Sequence, residues 1–119
     1  MMDWLTGEHA GNKLGGEAYN WILWNRNKYG GFAGNRFDSR QAACKAVRAI
    51  YDAGASMVRV AGIHDEPYRI KEEGGPYADV LVVYVKDPVK ERFVIETIKR
   101  LEPDEFNRIG KGVFRVWWD

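Results

Sequence analysis

An imidazole and two carboxylates stand side by side at His64, Asp65 and Glu66, the residue types of a general base or of an oxygen and nitrogen ligand set. They fall in a segment, Gly62 to Asp79, that also holds Tyr68, Arg69, Glu72 and Glu73 before the turn-forming Gly74, Gly75 and Pro76. Three adjacent residues rarely point at one ion, and the chain has no HExxH and no paired cysteine, so no metal and no other cofactor is expected. His64, Asp65 and Glu66 remain weak catalytic candidates, and Tyr68 a binding candidate, on a long polar connection. Cys44, the one cysteine, has no internal disulfide partner; it flanks an apolar helical stripe and reads as a packing residue. Tyr29 to Arg36 is glycine-rich and precedes a helix, where backbone amides can cradle an anion. Its spacing is neither the phosphate-loop nor the dinucleotide pattern, and Asp38 would repel an anion, so it reads as a flexible loop, with Asn35 and Arg36 as the contacts to test.

The elements that must position these groups follow from period and capping. Asp38 with Gln41 makes a capping-box pattern, Gly54 suits a left-handed C-terminal cap, and Ala43, Ala46, Val47 and Ile50 share one face, predicting a helix over 39–53. Asp87 and Pro88 open a second helix over 88–101, ended by Pro103, with Val94, Ile98 and Leu101 as its stripe and Phe93 widening it. Strands are expected at 56–61, 80–85 and 113–118 from period-two alternation, and at 17–25 from its run of Tyr, Trp, Ile and Leu, although Ala18, Trp21 and Ile22 also fit a helical face. The strand 80–85 is apolar on both sides except for Tyr84, which places it centrally.

The order strand, helix, strand, strand, helix, strand resembles the ferredoxin-like α+β sandwich. The resemblance, of element order and not of motif, covers residues 17–118. It implies an antiparallel four-stranded sheet with both helices on one face, 17–25 and 80–85 central, and 56–61 and 113–118 at the edges. The helix-free face would then carry Arg59, Arg115 and Trp117 beside Met57, joined from the central strands by alternates that include Trp21 and Tyr84. An apolar, aromatic and Arg-bearing face of that kind usually meets a partner, and a homodimer through two such faces is the expected one. The alternative is that the N-terminal arm and the long loop before the first helix fold over it as a second core. RNA-recognition modules use the same face to stack bases, but 80–85 lacks their basic, glycine and aromatic signature, so nucleic acid is not the expected partner.

At 119 residues and 45% hydrophobic content the chain supports one core, expected over 17–119, preceded by a loose arm over 1–16. The net charge of +1, with acids and bases interspersed, provides no broad field for a polyanion, although a small local basic patch stays compatible with it. No run is long enough to span a bilayer and the first residues lack a signal peptide's apolar core, so the chain reads as soluble and cytoplasmic. These observations point to a non-catalytic interaction or ligand-binding module acting through the sheet face and the 62–79 loop. The alternatives are a small dimeric enzyme using His64 and its acidic neighbours, or a single-strand nucleic-acid binder. What separates them is whether His64 faces a cavity shared with Tyr68, Arg59 or Trp117.

Overall fold

A computed structural model describes residues 14–119; most of the expected loose arm, 1–13, lies outside the described residues. The chain is an α+β fold with helices α1 (Ala18–Trp24), α2 (Arg40–Ala53), α3 (Pro67–Glu73) and α4 (Glu91–Arg100). Its strands are β1 (Met57–His64), β2 (Tyr77–Tyr84), β3 (Glu105–Gly110) and β4 (Val113–Trp117), forming one antiparallel sheet in the order β1-β2-β4-β3.

The two expected helices are present. Ser39, not Asp38, caps α2, its hydroxyl accepting from the Ala42 N–H, because Ser39 carries the extended backbone that brings its side chain over the first turn. Gly54 closes α2 with φ of 128°, and Ala43, Ala46, Val47 and Ile50 are buried as the stripe requires. Asp87 accepts from the Val89 N–H at the head of a 3-10 turn, Pro88–Lys90, that leads into α4. Val94 and Ile98 are fully buried, whereas Phe93 stays exposed with the Arg92 guanidinium over its ring. Phe93 therefore does not widen the stripe.

The stretch 17–25 is helical, not a strand. The Glu17 carboxylate accepts from both the Tyr19 and Asn20 N–H groups, and Ala18 and Ile22, one helical turn apart, are wholly buried where α1 packs on α2 and β1. Burial of one helical face outweighs the β-propensity of its aromatic and branched residues. The fourth strand comes instead from β3, an edge strand whose alternation is blurred by Glu105, Asn107 and Arg108. The expected β-α-β-β-α-β order is thus not the one observed. β2 is interior as its two-sided apolarity required and β1 is an edge, but β4 is interior, between β2 and β3, rather than at the edge.

The connection 62–79 is likewise largely regular structure: β1 runs on to His64, β2 begins at Tyr77, and α3 lies between, closed by Gly74 at φ 89°. Gly62, at φ 59°, resets the strand's alternation. Ala61 and its partner Val80 face away from the helices, whereas Ile63 and its partner Ala78 return to the helix-side core. Alongside Ala78 the glycine-rich stretch adds a short parallel bridge at Phe32, with Ala33 N–H donating to Ala78 O and Ala78 N–H to Gly31 O. The last residues of the expected arm are docked rather than loose. Gly15 N–H donates to Val60 O and Val60 N–H to Gly16 O, and a Cβ at Gly15 would collide with Val60 and Ile63.

Candidate functional site

Successive residues of a strand alternate between faces, so Met57, Arg59, Tyr84, Val113, Arg115 and Trp117 do share the side of the sheet opposite the helices. Its middle is not open. Ala61 and Val82 are 0% exposed and Val80 1%, packed with Leu14, Tyr84, Ile109, Val113 and Trp117 into a second, smaller core. Arg115 pairs with Glu105 at 3.2 Å, and the Trp117 indole N–H favours the charged form of the Asp79 carboxyl. Two other expected binding residues are elsewhere. Trp21 sits on α1, among the helices, because its segment is a helix, and Tyr68 sits exposed on α3.

Where β1 begins and β2 ends, the same face opens into a groove of about 790 Å³. Met57, Tyr84, Val113 and Pro88 give it an apolar floor, and Arg59, Lys86 and Lys111 stand around it. Lys111 is held beside Lys86 by the β3–β4 turn: Gly112, at φ 66°, lets its carbonyl accept from the Val85 N–H, and a Cβ there would strike the Val85 carbonyl oxygen. The groove's two acids are already engaged. Glu17 caps α1 and accepts from the Tyr51 hydroxyl at 2.6 Å, and Glu91 holds the Arg108 guanidinium at 2.6 Å. Lys86 and Lys111 are exposed and have no ion pair among the described residues. Sequence reading selected Arg59 and Tyr84 here and missed both lysines, since only the turn at Gly112 brings them together.

At the far end of β1 and β2, His64 lines a separate polar cavity of about 350 Å³ with Tyr29, Asn35, Arg69, Glu73 and Tyr77. Its Nδ1 lies 3.9 Å from Glu66 Oε2 and its Nε2 3.8 Å from Asp79 Oδ2, beyond hydrogen-bonding reach. Burial pushes the Asp79 carboxyl up, opposed by the Trp117 indole N–H and the charges of His64 and Arg115. Arg69 bonds Glu66 at 2.8 Å, holding that carboxyl below its usual range, and reaches Glu73 at 3.3 Å. Asn27, wholly buried, ties the two halves of the cavity together: its side-chain amide donates to Glu73 and to Gly75 O, and its oxygen accepts from the Tyr29 N–H.

His64 shares this cavity with none of Tyr68, Arg59 and Trp117, and Asp65 and Glu66 are not on its wall. Asn35 is; Arg36 turns away to Leu101 O and Glu102. The wall holds no Ser, Thr, Cys or Lys to act as a nucleophile, and the described residues contain no group of three metal-ligating side chains. Cys44 is buried, which pushes its thiol up and fits its packing role. No family model matches the chain. Neither does any curated protein or solved structure. Of the groove and the His64 cavity, the groove offers both apolar area and available charge, the combination that holds and orients a small ligand.

Proposed function

We propose that the protein is a ligand-binding module whose groove takes a small amphipathic anion. The apolar body of such a ligand would lie on Met57, Tyr84 and Val113, with its anionic group toward Lys86, Lys111 and Arg59. One observation carries this reading: both acids of the groove are committed to other partners, while its two lysines have none among the described residues. An anion entering there meets positive charge without displacing an existing ion pair, and gains burial of its apolar part at about 25 cal/mol per Å². The His64 cavity at the opposite end plays no part in this reading.

Calorimetry with a medium-chain carboxylate and the alcohol of the same chain length tests it. The carboxylate should bind roughly ten- to a hundred-fold more tightly, the worth of a charge-assisted hydrogen bond. Lys86→Gln with Lys111→Gln should remove most of the difference while leaving the alcohol's affinity unchanged. Equal binding of the two by the unmodified protein would overturn the proposal. So would binding that emerges only when residues 1–13 are deleted, which would make the groove the seat of that segment.

A further inference from the structure

A second surface, independent of the groove, is built on α1. From Ala18 to Ile50 the chain carries Arg26, Lys28, Arg36, Arg40, Lys45 and Arg48, and its only acid is Asp38. The near-neutral charge of the whole molecule therefore hides a strongly basic third. Folding gathers Arg26, Arg40, Lys45 and Arg48 of these around a ridge. On one side Leu23 borders a groove of about 370 Å³ between α1 and α2, walled by Tyr19, Arg40, Lys45 and Arg48. On the other side Trp24 borders a hollow of about 420 Å³ with Trp21, Arg26, Ile70 and Pro76.

The side chains there are available. Trp24 is 76% exposed, a large value for an aromatic ring on a protein surface. None of Arg26, Lys28, Lys45 and Arg48 makes an ion pair among the described residues. Arg48 instead lies over the Tyr19 ring, so a cation and an aromatic face meet in the α1–α2 groove. Arg40 is the structural member: its Nη2 donates to Asn25 O and Asn27 O, fastening the end of α1 to α2.

We infer that this surface binds single-stranded nucleic acid, with phosphates in the α1–α2 groove against Lys45 and Arg48 and an unstacked base on Trp24. Cationic grooves flanked by open aromatic rings are how sequence-tolerant single-strand binding works, the backbone tracked by charge and the bases by stacking. A membrane fits less well, because the lysine and arginine line the wall of a concavity that a flat lipid surface cannot enter. A duplex fits less well because its bases are not free to stack on Trp24. An acidic peptide could meet the charge but has no use for the ring.

Fluorescence anisotropy with labelled oligothymidine and oligouridine provides the test, beside a duplex, polyglutamate and phosphatidylserine vesicles. Single strands should bind, more tightly than the duplex, and with an affinity that falls as salt rises. Trp24→Ala should weaken binding roughly five- to a hundred-fold, and Lys45→Gln with Arg48→Gln should lower the salt slope by about 1.4, two phosphates' worth. All three residues are exposed, so circular dichroism of each variant should match the parent. No binding at about 50 mM salt would overturn the inference, as would a Trp24→Ala variant that binds like the parent. Polyglutamate or the vesicles binding as well as single strands, with no loss in Trp24→Ala, would show a charge-only surface and overturn it too.

Discussion

Tyr51 joins three elements through one oxygen. Its hydroxyl donates to the Glu17 carboxylate at the head of α1 and accepts from the Val58 N–H on β1, while its ring belongs to α2. Burial, then the bond to Glu17, pushes this phenol up to about 12 from its ordinary 10. The folded state thus holds the proton more tightly than the unfolded one, so the stabilisation is complete below the unfolded value and is lost as pH rises through the folded one. Denaturation midpoints should fall between about pH 10 and 12, and Tyr51→Phe should flatten that fall while costing about 1 to 2 kcal/mol at neutral pH. Asp79 obeys the same sign. With its carboxyl raised by burial, it favours folding while protonated and opposes it once pH climbs past its folded value. Asp79→Asn keeps an acceptor for the Trp117 indole, so at pH 7 it should be at least as stable as the parent; a clear loss by urea titration would count against this. Neither Tyr51 nor Glu17 stood out in the sequence, because Glu is an unusual N-cap and the contact spans distant residues.

Elements differ in how plainly they announce themselves. α2 and α4 carry apolar residues at helical spacing over several turns, so their period could be read directly. α1 has only seven residues, too few for a period to compete with the strand preference of Tyr, Trp, Ile and Leu, and β3 has an edge strand's polar alternation. Ile98, fully buried on α4, is the sharpest probe of the correctly read stripe. Ile98→Ala should cost roughly 2 to 5 kcal/mol by leaving a cavity, and a loss of under about 0.5 kcal/mol would place it on the surface. Gly112 probes the turn that sets Lys111 beside Lys86. Its left-handed backbone and the Val85 carbonyl leave no room for a Cβ, so Gly112→Ala should lower the melting temperature and disturb anion binding together.

At the scale of the molecule, the helix-free face decides between a partner and a second core. The area argument for pairing two copies applies to apolar surface that one chain leaves in water, and Ala61, Val80 and Val82 are at most 1% exposed. The expected solution mass by light scattering is therefore that of one chain, 13.7 kDa. Trp117→Glu should then lower stability without changing that mass; a parent that runs at twice the mass, and a variant that does not, would show the dimer instead.

What the amino-acid order determined by itself was local or compositional: two capped amphipathic helices, three of the four strands, the two-sided apolarity that makes β2 interior, and an α+β class with one sheet. Those follow from periods and caps that act over a few residues. Which strand lies beside which, and which side chains meet, depended on closures between distant residues. The β3–β4 turn inserts β4 next to β2, Gly62 returns Ile63 to the helix side, and docking of α1 on α2 moves Trp21 from the sheet face to the helix layer. His64, at the opposite end of β1 from Met57 and Arg59, lines a cavity with Arg69 and Tyr77, and Lys86 meets Lys111 across a groove no local pattern outlines. Sites are made by such long-range contacts, and only burial of the assembled core selects among the arrangements that the same local preferences allow.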